Sequence, residues 1–285
     1  MIAATQPDAV TAFGTIYDHL EVVKTCAPKG IHVMVEKPLA VSMEHAQKMK
    51  ALAQKHNIHL LTNYETTWYP TNHRAKELLD DGKIGELRKV IVRDGHRGPV
   101  KIGVNQEFLE WLQDPVLNGG GAITDFGCYG ANLMTWLKKG KKPNTVTAVT
   151  QQLQAENNPK VDDDATIILT YDDCQAIMEP SWNWPIGRKD MELYGLTGAI
   201  YADNRNTLRV RMAEGYDGFH EEAATLEERA APYNDPFSLF AAVIRGTVNL
   251  SPDDLSSLEN NMTVVEILDA ARKSAKSGKT IHLKN

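Results

Sequence analysis

The chain has 285 residues, 42% of them hydrophobic and 24% charged, which suits a globular protein with one large domain or two ordinary ones. A net charge of −6 argues against a nucleic-acid partner, and no apolar run approaches the ~20 residues needed to span a bilayer. The opening MIAATQPDAV lacks the basic and apolar regions of a signal peptide. Cys26, Cys128 and Cys174 stand far apart with no metal-ligand spacing, which excludes a disulfide framework or zinc ribbon and makes a reducing, cytoplasmic setting the expectation.

The first sixty residues alternate short apolar runs with helical patterns. Asp8 to Gly14 reads as a buried strand, and Tyr17 to Lys29 as a helix closed by Gly30. Ile31 to Val35 is a second strand, stopped by Glu36-Lys37-Pro38. Ser42 is a helix N-cap for a run to about Lys55, and Ile58 to Thr62 is a third strand. This alternation predicts right-handed parallel crossovers, hence an open α/β sheet.

Beyond residue 64 the rhythm changes. Thr71 to Asp81 reads as a helix ended by Gly82, and Leu87 to Arg93 as a strand. A glycine-rich turn precedes a helix over 122–138, and extended segments follow at 144–154, 165–182, 190–202 and 207–212. Helices over 237–245 and 259–277 and a short strand over 280–283 close the chain. Strands in succession predict a mostly antiparallel sheet with the 122–138 helix on one face. Apolar residues read on both faces, among them Ile167, Leu169, Ile177, Met178, Leu193 and Ile200, predict a homo-oligomer, dimer or tetramer, built on the other face. The expected division is 1–68, a partial α/β domain, and 69–285, an α+β domain whose last helix packs back on the first.

Two constellations carry chemistry. Glu36-Lys37-Pro38 ends a buried parallel strand, the edge at which open α/β sheets bind ligands, so Lys37 is either a crevice residue or an ordinary solvated loop lysine. In Asn118-Gly119-Gly120-Gly121-Ala122-Ile123-Thr124-Asp125-Phe126-Gly127-Cys128-Tyr129, three glycines permit close backbone approach. Asp125 and Tyr129 share a helix face, a carboxylate and a phenol suited to proton transfer, with the phenol drawn towards neutral pKa by a nearby lysine. A dipole-favoured Asp and a half-buried packing Tyr would give the same letters. Arg97, at the end of a strand, could face a polyol, and Trp182 and Trp184 could stack on a sugar ring or simply pack. Asp162-Asp163-Asp164 reads as a solvated hairpin run, and no metal is expected.

Taken together, the two motifs resemble the glucose–fructose oxidoreductase, inositol dehydrogenase and rhizopine-catabolism family. Pro7-Asp8-Ala9-Val10, His19, Gly30-Ile31-His32-Val33 and Gly82-Lys83-Ile84-Gly85-Glu86 support the likeness, which covers nearly the whole chain. The resemblance implies a Rossmann domain joined to an open-faced antiparallel sheet, NAD or NADP as cofactor, and oxidation or reduction of a sugar or polyol carbon. It makes Lys37, Asp125 and Tyr129 the catalytic set, with Tyr129 as general acid/base where many members have His. It places His19, Glu36, Lys37 and Pro38 beside the cofactor. A glycoside-cleaving enzyme that oxidises a ring hydroxyl transiently, or a non-catalytic sugar binder, are the rival readings. Gly14-Thr15-Ile16 departs from the family's usual Thr-Pro, and Thr66-Thr67-Trp68 stands where an Arg is common. By the same pattern the strand at 8–14 matches the fourth Rossmann strand and no G-x-G-x-x-G opens the chain. The resemblance therefore places the phosphate loop upstream of Met1 and predicts weak dinucleotide binding and crippled activity for this chain alone.

Overall fold

A computed structural model describes residues 2–284. After a short helix α1 (Ile2–Thr5), strands β1 (Ala9–Ala12), β2 (His32–Glu36) and β3 (Leu60–Asn63) pair in parallel, in chain order, linked by α2 (His19–Cys26) and α3 (Met43–His56). Local chemistry sets these boundaries. Ser42 accepts the His45 N–H at the start of α3, and Gly30 and Asn57 take the left-handed conformation that ends a helix.

The chain continues with α4 (Pro70–Asp80), β4 (Leu87–Gly95), α5 (Pro99–Ile102), α6 (Gln106–Leu112), α7 (Ala122–Asp125) and α8 (Gly127–Leu137). Strands β5 (Thr145–Gln151), β6 (Asp164–Thr170), β7 (Gln175–Ser181), β8 (Arg188–Gly195), β9 (Gly198–Ala202), β10 (Leu208–Glu214) and β11 (Gly218–Ala223) follow. Helices α9 (Pro236–Ile244) and α10 (Leu258–Ser277) and strand β12 (Ile281–His282) complete it. The second sheet runs β11-β10-β9-β8-β4-β7-β6-β5-β12, antiparallel except for the β4–β7 pair.

Side-chain alternation decides what each face meets. In β2, Val33 and Val35 pack with α2, α3 and Val265 of α10, while Met34 packs with Leu239, Phe240 and Val243 of α9. The three-stranded sheet is thus covered on both faces, as parallel strands require, and α9 and α10 return to it from the far end of the chain. The inner face of the large sheet, with Val90, Val92, Ile167, Leu169, Met178 and Leu193, is buried with α8 and α10.

The structure corrects several sequence expectations. The extended stretch over 165–182 is the β6–β7 hairpin, turning where Tyr171 N–H donates to Cys174 O, and that over 190–202 is the β8–β9 hairpin. The helix over 122–138 breaks at Phe126 into α7 and α8. The apolar residues on which the expected homo-oligomer rests lie on the inner face, apart from Ile177. The outer face is mixed: Ile91, Ile168 and Ile177 form a row beside Arg93, which bridges Glu179, Glu192 and Asp190, while Arg209 and Arg211 lie over the Tyr201 ring. The Asp162–Asp164 run is not a solvated hairpin. Asp162 accepts from the N–H groups of Gly121 and Ile123. The fully buried Asp163 accepts from the N–H groups of Leu153 and Gln154 and from the amides of Asn158 and Asn183.

That hub yields a stability test. Asp163→Ala leaves the Leu153 and Gln154 N–H groups and the Asn158 amide without their acceptor, and Asn183 with the Asp163 carbonyl alone, and we expect a loss of about 3 kcal/mol or more in urea unfolding. A loss under about 0.5 kcal/mol would show that the hub does not hold the β5–β6 connection.

Candidate active site

The carboxyl ends of β1, β2 and β3 meet the α7–α8 segment, and the junction is made by charge. Lys37 follows β2 directly, so its side chain leaves the sheet at the edge where ligands bind in open α/β folds. Its Nζ donates to Asp125 O at 2.7 Å and to Asp125 Oδ1 at 2.5 Å. Trp182 Nε1 donates to the other carboxylate oxygen, Oδ2, at 3.0 Å. Burial works against both charges, but the pair outweighs it: the Asp125 carboxyl is held below its ordinary value and the Lys37 ammonium above. Two of the three ammonium donors are committed to Asp125, which leaves one for a ligand.

Tyr129 sits beside this pair, 4% exposed, with the Lys37 Nζ 5.1 Å and the Lys189 Nζ 4.9 Å from its ring centroid. Tyr64 meets the ring edge-on and Phe126 stacks with it. Both lysines lie over the ring rather than bonding its hydroxyl, and burial pushes the phenol well above its usual pKa. The lowering expected from a neighbouring lysine is therefore not what this arrangement produces, and Tyr129 is a phenol that keeps its proton.

The other predicted residues divide. His19 is 1% exposed and its Nδ1 lies 3.1 Å from Leu39 O; only a donor suits a carbonyl, which leaves Nε2 an acceptor with no partner. Asn118 Oδ1 is likewise buried and unpartnered. Glu36 accepts from Asn63 Nδ2 at 2.6 Å, and Pro38 follows Lys37 through a cis peptide. As buried acceptors without partners, His19 Nε2 and Asn118 Oδ1 suit in chemistry the amide and hydroxyl donors of a nicotinamide riboside. Trp182 is fully buried and orients Asp125, so it is not a stacking platform. Trp184 lies under Arg188 at 4.6 Å and donates to Glu179 O, and Arg97 is exposed with no side-chain bond into the site. The three glycines serve chain packing, since a Cβ at Gly121 would lie 1.8 Å from Asp162 O and one at Gly119 3.1 Å from Val41 O.

Sequence reasoning missed a neighbouring cleft of about 730 Å³, lined by Glu65, Tyr69, His96, Phe126, Arg188 and Lys189 among others. Lys189 donates to Glu65, whose other oxygen accepts from Tyr69 at 2.5 Å. Burial pushes the Glu65 carboxyl up, but these two bonds outweigh it and hold it below its ordinary value. Asp94, buried nearby, also went unnoticed. No local motif marks these residues: the β4–β8 register sets Asp94 opposite Lys189, and Glu65 and Tyr69 come from the turn of helix after β3.

Comparison with known proteins fits this geometry. Residues 1–64 match the model of an oxidoreductase family with an NAD-binding Rossmann fold, and residues 72–201 that of the GFO/IDH/MocA C-terminal domain. The chain belongs to the Gfo/Idh/MocA oxidoreductase family. It is 30% identical to trans-1,2-dihydrobenzene-1,2-diol dehydrogenase of Xenopus tropicalis over 171 residues, 59% of this chain and 48% of that protein. It is 24% identical to inositol 2-dehydrogenase of Rhizobium meliloti over 99% of this chain and 82% of that one. The chain thus spans about half the length of the dihydrodiol dehydrogenases it matches. The same fold is seen in aldose-aldose oxidoreductase from Caulobacter crescentus complexed with glycerol (TM-score 0.81, 21% identity, 99% of this chain and 81% of that one). It recurs in an inositol dehydrogenase homolog complexed with NAD+ from Azotobacter vinelandii (TM-score 0.80, 18% identity, 97% and 78%). Among the described residues no helix is long and apolar enough to cross a membrane, and no group of His, Cys, Asp or Glu could hold a metal ion.

His19 supplies a pH test. Burial lowers its pKa to about 4, and that of the partly buried His73 falls to about 4 as well. Between pH 6.5 and 4 the unfolded chain takes up protons that the folded chain refuses, so stability falls as pH falls. We expect His19→Gln to remove about 2 kcal/mol of the stability lost between pH 7 and 4.5, read from urea midpoints. An unchanged pH dependence would mean that His19 is not held neutral.

Proposed function

We propose that this chain works as an NAD(P)-dependent oxidoreductase that interconverts a hydroxyl and a carbonyl on a sugar or polyol. The observation that carries the reading is the buried Lys37–Asp125 pair at the ligand-binding edge of the parallel sheet, with Tyr129 against it. A buried ion pair is seldom worth its desolvation for stability alone, which favours a chemical role. A bound nicotinamide supplies hydride transfer; His19, Glu36, Lys37 and Pro38 are the residues of this chain that would hold its riboside end.

The protein's own part is to hold the substrate oxygen and its proton. The N–H of Lys37 not used by Asp125 is free to hold the substrate oxygen, and a fixed cation beside that oxygen lowers the barrier as negative charge develops on it. Asp125 keeps Lys37 charged and oriented, and Trp182 keeps Asp125 in place. Tyr129, protonated in the resting site, donates to a substrate carbonyl oxygen in the reducing direction. In oxidation it accepts the alcohol proton only after its own has passed to water, and the Lys37 and Lys189 ammonium charges beside the ring favour that phenolate against the effect of burial. The relatives named for dihydrodiol and inositol dehydrogenation support a polyhydroxylated substrate.

Steady-state assays with NAD+ and NADP+ against a polyol panel test the reading. We expect Lys37→Met and Tyr129→Phe each to lower kcat about 100- to 10,000-fold with the urea midpoint little changed for the tyrosine variant. Near-normal kcat in Tyr129→Phe would remove it from the proton path, and an effect confined to KM would make it a binding residue. Substrate cleavage without net nucleotide reduction would favour the glycoside-cleaving alternative.

A further inference from the structure

We propose that Asp94 and Lys189 form a second contact point in the site, one that takes the hydroxyl next to the reacting carbinol. The inference rests on the oxidoreductase reading and adds to it the residues that select the substrate. The strand register brings the two together: Asp94 near the end of β4 stands directly opposite Lys189 near the start of β8. Both belong to the inner-face set that includes Val92 and Met191, so they face the helix layer that carries Tyr129. The Lys189 Nζ reaches to 4.9 Å from the Tyr129 ring centroid, against 5.1 Å for Lys37. Two ammonium groups therefore flank the phenol, each with a carboxyl beside it.

Asp94 is the part of this arrangement that calls for a ligand. Asp94 is 3% exposed and its Oδ1 has no hydrogen-bond partner. Buried polar atoms are almost always paired, and this orphan lies just behind the wall of the cleft that its neighbours Gly95, His96 and Lys189 line, where a ligand's donor could meet it once the side chain turns outward. Burial also keeps the Asp94 carboxyl well above the carboxylate range, with Lys189 pulling the other way, so it can donate as well as accept. Lys189 holds Glu65 with one N–H and keeps others free, so a hydroxyl can sit between its ammonium and the Asp94 carboxyl. A monohydric alcohol fills only the Lys37 end; a vicinal diol fills both. No covalent step is involved, only exchange of hydrogen bonds.

The test is equilibrium binding of cis-1,2-cyclohexanediol, myo-inositol and cyclohexanol to the whole chain, by ligand-observed NMR titration. The wild type is expected to bind the two polyols at least tenfold more tightly than cyclohexanol. Lys189→Met and Asp94→Leu are expected to reduce that preference below threefold, and Asp94→Asn to retain part of it. Should Asp94→Leu fail to fold, the Lys189→Met and Asp94→Asn titrations still decide the matter. A wild type without preference, or a folded Lys189→Met with the full preference, overturns the proposal. If the preference exists and is lost in the variants but no nucleotide is ever reduced, the oxidoreductase reading fails and the second contact stands. If polyols are turned over and Lys189→Met keeps the wild-type selectivity, the reverse holds.

Discussion

The Lys37–Asp125 bond is the interaction on which the rest of the site depends. Among the described residues it is the only direct ion pair between the edge of the parallel sheet and the α7–α8 segment, and it is largely buried. Removing one partner would strand the other as a buried charge, which costs several times what the pair contributes as a pair. The surroundings are arranged to keep it whole. Trp182 secures the second carboxylate oxygen, Cys128 donates to Asp125 O, and Phe126 and Tyr129 close over the ammonium. Each is held in turn by the strand or helix it belongs to, so the geometry of the pair is set by packing in both sheets at once.

This dependence explains the odd shape of the α7–α8 segment. A continuous helix would carry Asp125 and Tyr129 one turn apart on a single face. The break at Phe126 instead lets the backbone carbonyl of Asp125 turn towards Lys37, so that one residue offers two acceptors to the same ammonium. The three glycines ahead of α7 serve the same end, letting the loop lie against Asp162 and Val41 without side chains in the way. Asp162 and Asp163 then tie that loop to the start of the large sheet.

What was legible in the sequence was what is encoded locally. Ser42, Gly30 and Pro38 mark helix and strand ends through their own side chains or lack of one, and the motifs around Lys37 and Asp125 are short. The hairpins at Tyr171–Cys174 and Leu196-Thr197 escaped notice because neither turn carries an Asn-Gly or Asp-Gly signal to interrupt the apolar pattern. The roles of Trp182, Asp94 and Lys189 were not legible at all. Trp182 reads as a sugar platform until the fold buries it beneath Asp125, and Asp94 and Lys189 become neighbours only through the β4–β8 register. The direction of the Tyr129 pKa also needed the structure, since a lysine over a ring face and one at a hydroxyl have the same sequence.

The central claim is that the buried pair is kept for chemistry and not for stability. Replacing both charges at once, as Lys37→Met with Asp125→Leu, removes the pair without stranding either member, and buried pairs replaced in this way commonly leave a protein as stable or more so. The decisive measurement is polyol-dependent reduction of NAD+ or NADP+ by this double variant, compared with the wild type at matched folded fraction. The account predicts a folded protein whose turnover is lower by about 1,000-fold or more. A folded double variant that turns over within tenfold of the wild type would contradict it.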